Sequence, residues 1–295
     1  MLRRFLGVLL VMACGQVDVT SDAGTAASSY HDWNDPSLWS TFETTEAYAT
    51  AEGFYGATFD GQYLYFVPNI YATSYNGLVA RYDTKATFAS ASSWSTFDTS
   101  TLTGIPNAFY GAVFDGRYVY LVPQATSVGA PDGVVLRYDS HASFSDKSSW
   151  TTFDTTTVNG IASNFIGGVF DGRYVYFAPN NNIKVVIARY DTQADFQSPA
   201  AWSTLDISTI AGGFWGAAFD GRYVYLVPNG NTTASKITRY DTQAAFGDLA
   251  SWSTFDTTTL SPQARGFCGS AFDGRYLYLA PNYFNPTDGG TTGKN

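Results

Sequence analysis

Residues 219–229 read FDGRYVYLVPN, and the chain repeats this stretch with small changes in four other places. The near-copies are FDGQYLYFVPN, FDGRYVYLVPQ, FDGRYVYFAPN and FDGRYLYLAPN, which begin at Phe59, Phe114, Phe170 and Phe272. Their Asp-Gly pairs follow one another at intervals of 55, 56, 49 and 53 residues. A period near fifty residues is typical of propeller blades, so each copy is predicted to belong to one blade.

Each period contains four segments with strand character, described here for the second copy. The first is F-x-G-x-x-F at 109–114, and the second is R-Y-V-Y-L-V-P at 117–123. The Asp-Gly pair between them favours a type I′ hairpin turn, because both residues tolerate positive φ. The third segment ends in R-Y-D at Asp139, and the fourth begins at Trp150. Between these two, a pattern of the D-T-x-A-x-F type predicts a short helical turn whose Phe packs inward.

Four antiparallel strands repeated around an axis build a β-propeller. The sequence therefore predicts an all-β fold, a five-bladed β-propeller of four-stranded antiparallel blades, closed by an N-terminal outer strand. The closing strand is SLWSTFE at 37–43, an extra copy of the fourth segment, which we expect to complete the blade whose inner strands lie within 267–281. The sequence reaches Asn295 where the third strand of that blade should begin. Either further residues follow, or this blade has three strands.

The first fourteen residues differ from the repeats. Arg3 and Arg4 precede an apolar run at 5–13 that is too short for a stable membrane-spanning helix. The run ends in V-M-A-C at Cys14, which resembles the lipobox of bacterial lipoproteins and implies diacylation of Cys14 and cleavage before it. An ordinary secretion signal is the alternative.

The domain prediction follows from these segments. It consists of a lipoprotein-type signal peptide at 1–14, a flexible tether of small polar residues at 15–36 and the propeller at 37–295. Such a protein would be exported to the bacterial cell envelope, as an outer-membrane lipoprotein, or secreted.

The blade motif also resembles a known repeat. Within 115–150 the order D-G-R-Y-V-Y-L-V-P, then V-L-R-Y-D-S, then Trp is similar to the kelch repeat, with its D-G before a hydrophobic strand, its Y-D and its later Trp. The pattern extends over 37–281. The resemblance implies a kelch-like β-propeller, and only the fold class is taken from it.

The composition limits the kinds of partner. A net charge of −9 disfavours binding to nucleic acid and to anionic lipid, so we expect contact with a membrane only through the N-terminal lipid anchor. Aromatic residues make up 17% of the chain, and most fall at repeat positions, where packing between blades accounts for them.

Positions that differ between the copies are the candidates for recognition of a glycan or protein ligand. The x of F-x-G varies, and so do the loops between second and third strands, which are rich in Asn, Thr, Ser and Tyr. Divergence on a repeated scaffold marks positions that are free to specialise; the alternatives are interior filling and plain solvated loops. The predicted ligand-binding residues are Tyr71, Tyr75, Asn180, Trp215, Asn229 and Tyr283.

Catalytic chemistry has little support in the sequence. His31 and His141 are the only histidines, which makes a Ser-His-Asp triad or a His-rich metal centre improbable. The Arg and Asp that recur in R-Y-D are expected to tie loops together. The weak catalytic alternative is a glycoside hydrolase with Glu46 or Glu52 as its acid. We therefore predict a non-catalytic binding module without metal or cofactor, with a structural envelope protein as a further alternative.

Overall fold

The computed structural model describes residues 8–12, 36–71, 74–127, 129–180, 184–229 and 235–282. Over these ranges the chain is nearly all β and forms a β-propeller of about five blades. Four blades are four-stranded antiparallel sheets, and two described strands represent the fifth. The fold class predicted from the repeat is confirmed.

The strands follow the order of the repeat. Two precede the blades: β1 (Val8–Met12) and β2 (Trp39–Glu43). The first blade contains β3 (Phe54–Phe59), β4 (Tyr63–Pro68), β5 (Ile70–Tyr71), β6 (Ser74–Tyr75), β7 (Leu78–Asp83) and β8 (Trp94–Asp98). The second contains β9 (Asn107–Phe114), β10 (Tyr118–Thr126), β11 (Val134–Asp139) and β12 (Trp150–Asp154). The third contains β13 (Phe165–Phe170), β14 (Tyr174–Pro179), β15 (Val186–Asp191) and β16 (Trp202–Asp206). The fourth contains β17 (Phe214–Phe219), β18 (Tyr223–Pro228), β19 (Lys236–Asp241) and β20 (Trp252–Asp256), and the fifth contains β21 (Phe267–Phe272) and β22 (Leu277–Pro281).

The helices of the described ranges are single turns in the loops. One is α-helical, α1 (Ser100–Thr103). The others are 3₁₀ turns at Pro36–Leu38, Thr44–Glu46, Ala91–Ser93, Lys147–Ser149, Thr155–Thr157, Pro199–Ala201, Leu249–Ser251 and Thr257–Thr259.

The register between third and fourth strands is the same in the four complete blades. The Tyr of R-Y-D faces the Trp that starts the fourth strand, as Tyr138 faces Trp150. The indole N–H of Trp150 donates to the carbonyl oxygen of Phe144 at 3.1 Å, which holds the intervening turn against the blade. Phe144 is buried, so the inward packing predicted for this Phe is confirmed.

The hairpin turn between first and second strands differs from the predicted type I′. Asp60 precedes the turn and its backbone N–H donates to the Tyr63 carbonyl, so the central residues are Gly61 and Gln62. Gly61 has a φ of 101°, but Gln62 is not among the residues with positive φ, and type I′ needs both. The Asp60 carboxylate accepts the N–H groups of Gln62 and Tyr63 and the hydroxyl of Tyr65. These bonds place Asp at the first position of a turn with Gly second, the preference of type II′.

The glycine of F-x-G lets the first strands approach one another closely. Strands β3, β9, β13, β17 and β21 lie side by side in that order. A Cβ on Gly56 would lie 2.6 Å from the carbonyl oxygen of Tyr110, and one on Gly167 would lie 2.8 Å from the backbone of Gly216. No side chain fits at these distances, so glycine permits the tight spacing of the inner strands.

Neighbouring blades pack through stacked aromatic pairs. Phe97 of β8 stacks on Trp150 of the next blade with ring centroids 4.5 Å apart and planes 9° apart. Phe153 and Trp202 repeat this contact at 4.6 Å. All four rings are buried, which confirms the packing role predicted for framework aromatics.

The Arg of R-Y-D connects neighbouring blades, whereas the sequence predicted that it would tie loops together. The Arg137 guanidinium lies between the rings of Tyr118 and Phe196, 4.3 and 4.4 Å from their centroids. The Asp of R-Y-D pairs instead with the Arg of D-G-R, as Arg117 does with Asp139 at 2.7 Å. The ladder sets Tyr118 opposite Asp139, which brings Arg117 beside that carboxylate, and the hydrogen bond from Arg117 lowers the pKa of Asp139. The same pair recurs in Arg173–Asp191 and Arg222–Asp241.

Strand β2 occupies the outer-strand position next to the first blade. Phe42 is buried and stacks on Trp94 with centroids 5.0 Å apart, as Phe97 does on Trp150. Its ladder partner is β1, with Met12 opposite Trp39, the register that third strands have on fourth strands. Within the described ranges no ladder joins β1 or β2 to β21 and β22. The described strands therefore do not form the sheet expected between 37–43 and the fifth blade.

Candidate functional site

The loops that differ between copies lie at one end of the blades, here called the variable-loop face. It consists of the loops after second strands and those before first strands. In the first blade the loop after β4 folds into the small β5–β6 hairpin. In the second blade β10 extends to Thr126, and a bridge between Ala125 and Pro131 closes the loop. The sequence differences therefore produce different local structures on this face.

The x of F-x-G is the extra residue of a β-bulge in every first strand. In the third blade Phe165 pairs with Pro179 and Gly167 with Ala178, which leaves Ile166 without a partner in the ladder. A bulge redirects the side chain and is frequent beside functional sites. The equivalent residues, here called the axial set, are Tyr55, Tyr110, Ile166, Trp215 and Cys268.

Three tyrosines come together on the variable-loop face. The rings of Tyr55 and Tyr110 have centroids 4.1 Å apart, and Tyr55 is 61% exposed. Burial, and then electrostatic interaction with Tyr55 and Tyr75, raises the pKa of Tyr110 to about 12. Its hydroxyl therefore stays protonated at neutral pH and offers both a flat ring and a hydrogen-bonding group.

An amide residue follows the Pro of each second strand, and in three blades such side chains form hydrogen bonds between neighbouring blades. Asn69 donates through Nδ2 to the carbonyl oxygen of Phe109 in the next blade at 2.8 Å. In the later blades Asn229 donates through Nδ2 to Oδ1 of Asn180. The structure thus brings together two predicted ligand-binding residues. Asn229 is buried and Asn180 half-buried, so Asn180 is the more accessible member of this pair.

A cleft of about 290 Å³ opens on the variable-loop face beside the first blade. Three loops form it: the one before β3, the β5–β6 hairpin and the one after β8. Tyr48, Glu52, Tyr75 and Asp98 contribute its larger side chains. The remaining lining residues are Thr50, Asn76, Gly77, Leu78, Ser100 and Pro106.

Asn76 holds the walls of this cleft together. Its Nδ2 donates to the carbonyl oxygens of Thr50 and Glu52 at 2.6 and 2.7 Å, and its Oδ1 accepts the N–H of Leu78. The loop that carries Glu52 is therefore fixed against the start of β7. On the third wall, Asp98 accepts the N–H of Ser100 at 2.9 Å, which orders α1.

The sequence did not single out Tyr48, Asp98 or Asp132. Tyr48 lies in the loop after β2, where the other copies have no Tyr, and Asp98 recurs at the end of the fourth strand in all four complete blades, so no sequence pattern connects either residue with a site. Asp132 is buried in the second blade, accepts Nδ2 of Asn107 at 2.6 Å, and burial raises its pKa. Asp132 takes the loop position that Asn76 has in the first blade, which the shared Asn/Asp-Gly pattern could have indicated.

The other predicted residues are distributed as follows. Tyr75 and Glu52 line the cleft, whereas Glu46 lies in a separate depression beside β2. Trp215 is half-buried in the axial set, and its indole N–H has no hydrogen-bond partner among the described residues. Tyr71 ends a strand of the small hairpin. The side chain of Tyr71, and all of Cys14 and Tyr283, lie outside the described residues.

Groups for metal or nucleophilic chemistry are scattered in the part of the chain that is described. His141 is exposed in a turn, where its backbone N–H donates to Asp139. Cys268 is a free, exposed thiol in the axial set. The described ranges contain no group of three or more His, Cys, Asp or Glu side chains that could hold a metal ion. No helix within them is long and apolar enough to cross a bilayer.

Comparisons with known proteins add little to this geometry. The chain matches no protein-family model and no curated protein sequence. Among solved structures it is similar to apo AztD from Citrobacter koseri, with 11% sequence identity and a TM-score of 0.34. The match covers 65% of this chain and 45% of the AztD chain, less than half the length of that protein. A likeness of this size carries no argument about function.

Proposed function

We propose that the protein is a non-catalytic binding module that holds a glycan on its variable-loop face, with the first-blade cleft as the principal subsite. The observation that carries the proposal is the cleft itself, where Tyr48 and Tyr75 lie among carboxylate, hydroxyl and amide groups. Tyrosine rings provide flat apolar surfaces for sugar rings, and the polar groups provide hydrogen bonds that orient hydroxyls. Outside the cleft, the exposed Tyr55 and the half-buried Tyr110 provide two further rings that contact each other.

The test is a glycan array followed by calorimetric titration of the ligands it identifies. Tyr48→Ala removes a ring that is 51% exposed at the cleft, and Tyr276→Ala is the matched control, 52% exposed near the D-G turn of the fifth blade. Loss of about 1 kcal/mol of aromatic contact predicts about fivefold weaker binding for Tyr48→Ala and no change for Tyr276→Ala. A blank array, or equal loss in both variants, would overturn the proposal. Capture of a protein partner with the same variant pattern would replace the glycan by a protein.

A second candidate is glycoside hydrolysis, which one observation favours: Glu52 and Asp98 line the same cleft. Two carboxylates across a cleft are the usual requirement of glycosidases. The distinguishing measurement is polysaccharide turnover by wild type, by Glu52→Gln and by the control Glu46→Gln, whose carboxylate lies outside the cleft. Turnover lost only in Glu52→Gln would favour the enzyme, and equal rates in all three would exclude Glu52.

The proposed location is the bacterial cell envelope, with cleavage before Cys14 that removes β1, the ladder partner of β2, and a lipid on Cys14 that holds a kelch-like propeller at the membrane surface. The support is the lipobox-like V-M-A-C and the polar tether in the sequence. Labelling with radioactive palmitate in a bacterial host should mark wild type and not Cys14→Ser. Equal labelling of the two proteins would contradict a lipid anchor on Cys14.

A further inference from the structure

The charge of the first-blade cleft is one-sided. Among the described residues that line it, the charged ones are Glu52 and Asp98, and both are acidic. The half-buried Glu52 belongs to the wall fixed by Asn76, and the exposed Asp98 belongs to the wall formed by α1. Two separately anchored loops therefore place negative charge on one small cavity in a chain whose net charge is −9. A neutral sugar can donate its hydroxyls to these carboxylates, an anionic ligand would be repelled, and a cationic ligand would gain charge attraction in addition to hydrogen bonds.

Aromatic rings share the cavity with the carboxylates. Tyr48 and Tyr75 both line it. A tyrosine face attracts an ammonium group through its π-electrons, and a carboxylate binds the same group through charge-assisted hydrogen bonds. Rings combined with carboxylates are the chemical environment that selects a cation with an apolar or hydroxylated body.

An ammonium group of the protein already binds next to this cavity. Lys147 from the second blade reaches back to the first and donates through Nζ to the carbonyl oxygen of Thr101 at 2.5 Å. Thr101 lies in α1, directly after the lining residue Ser100. Neither Thr101 nor Lys147 lines the cavity, so this contact places a positive charge beside α1 and leaves Glu52 and Asp98 as acidic lining residues of the cleft.

We propose that the cleft selects a saccharide unit that carries a free, protonated amino group, such as the glucosamine unit of a deacetylated oligosaccharide. This inference rests on the proposed glycan-binding function and specifies its ligand. Glu52 and Asp98 hold the ammonium group, and Tyr48 and Tyr75 pack against the ring. The volume of about 290 Å³ is just below the range for drug-sized ligand pockets, roughly 300–1,000 Å³, so the cleft is sized for a single small sugar unit.

The decisive experiment compares two ligands that differ in one group. The tetramer of glucosamine and the tetramer of N-acetylglucosamine are titrated by calorimetry at about pH 6, where the free amine is protonated. We expect the free-amine tetramer to bind about tenfold more tightly, with the difference shrinking at about 0.5 M salt because screening weakens exposed ion pairs.

The variants assign the preference to the cleft. Asp98→Asn and Glu52→Gln should each reduce the preference for the free amine several-fold. The matched control is Asp206→Asn, since Asp206 accepts the N–H of Ser208 at 2.9 Å as Asp98 does that of Ser100, but lies in the third blade outside the cleft. Circular dichroism and melting temperature verify that all variants are folded, and Glu52→Gln provides the test if loss of the turn unfolds Asp98→Asn.

The outcomes separate this inference from the function on which it rests. Equal or tighter binding of the acetylated tetramer would overturn the inference and leave glycan binding intact. Binding of neither tetramer, together with a blank glycan array, would overturn both. A preference for the free amine that Asp206→Asn reduces as much as Asp98→Asn would place the ammonium site elsewhere and overturn the assignment to this cleft.

Discussion

Single side chains fix the turns of this propeller, and the Asp of D-G is the clearest case. In the third blade Asp171 accepts the N–H groups of Arg173 and Tyr174 and the hydroxyl of Tyr176, at 2.8, 2.6 and 2.7 Å. Tyr176 is buried, and burial followed by the bond to Asp171 raises its pKa. One carboxylate therefore satisfies a buried hydroxyl and the two N–H groups of a tight turn.

We predict that Asp171→Ala lowers the free energy of unfolding by about 2–4 kcal/mol, because a buried hydroxyl loses its partner along with two charged hydrogen bonds. The control is Asp273→Ala in the fifth blade, which has the same three contacts, but with Tyr278 exposed to water. Urea titrations should show a much smaller loss for the control. Equal losses would mean that burial of the tyrosine contributes nothing to the effect.

The sequence shows that the Asp of D-G is repeated, but it does not show which groups this Asp binds. The Asp recurs in every copy, yet its bonds depend on its standing before the turn, which the D-G pair alone does not specify. The same limit affected R-Y-D, where adjacency suggested a shared role for Arg and Asp. Strand register pairs Asp139 with Arg117, whereas the Arg137 guanidinium lies between the rings of Tyr118 and Phe196.

Among the elements, the first strand of each blade is the most constrained, because its glycine lies where the backbones of neighbouring blades meet. The constraint is uneven around the axis. A Cβ on Gly167 would lie 2.8 Å from Gly216, whereas one on Gly269 would meet nothing within 4 Å.

This difference predicts a matched pair of substitutions. Gly167→Ala should lower the free energy of unfolding by about 1–3 kcal/mol or more, since two backbones must separate to admit the methyl group. Gly269→Ala should cost less than about 1 kcal/mol, because the same chemical change meets open space. Chemical denaturation of both variants is the measurement, and similar losses would refute the close approach of the inner strands.

Strand number and strand order could be predicted from the repeat, because alternating apolar residues and turn residues recur in every copy. The bulge could not, since F-x-G records a glycine and a variable residue but no pairing. Trp215 was therefore predicted as a ligand-binding residue from its variable position alone, whereas the bulge at this position became visible only in the ladder between β17 and β18.

At the scale of the whole molecule, aromatic side chains of one blade are buried by side chains of the next blade. Tyr65, Tyr120 and Tyr176 occupy the same position in successive blades and are at most 1% exposed, whereas Tyr278 in the fifth blade is 55% exposed. Phe97 and Phe153 are each 7% exposed because a Trp of the next blade covers them, whereas Phe255 is 51% exposed. Tyr65, for example, packs against Tyr138 and Phe144 of the following blade.

The same dependence tests whether β2 belongs to the ring. Phe42→Ala should lower the free energy of unfolding by about 3–5 kcal/mol, since Phe42 is 4% exposed and stacked on Trp94. Phe255→Ala at the same repeat position, but 51% exposed, should cost less than about 1 kcal/mol. If Phe42→Ala were as stable as Phe255→Ala, β2 would not be packed against the propeller.

The candidate site was only partly predictable at this scale. Tyr75 was predicted from loop composition and Glu52 as the acid of the weak catalytic alternative, but the cleft forms where three loops distant in sequence meet. Such a meeting depends on the arrangement of the blade ends, and Tyr48 and Asp98 enter it without any local pattern.

The bulged position also separates framework from specificity. Its backbone takes no part in the ladder, and the glycine that follows carries the constraint of close packing. Tyr, Ile, Trp and Cys already coexist at this point within one molecule. Each blade can therefore change its bulged residue independently of the others. The side chains around the axis can vary one at a time while the strands and the packing glycines stay the same.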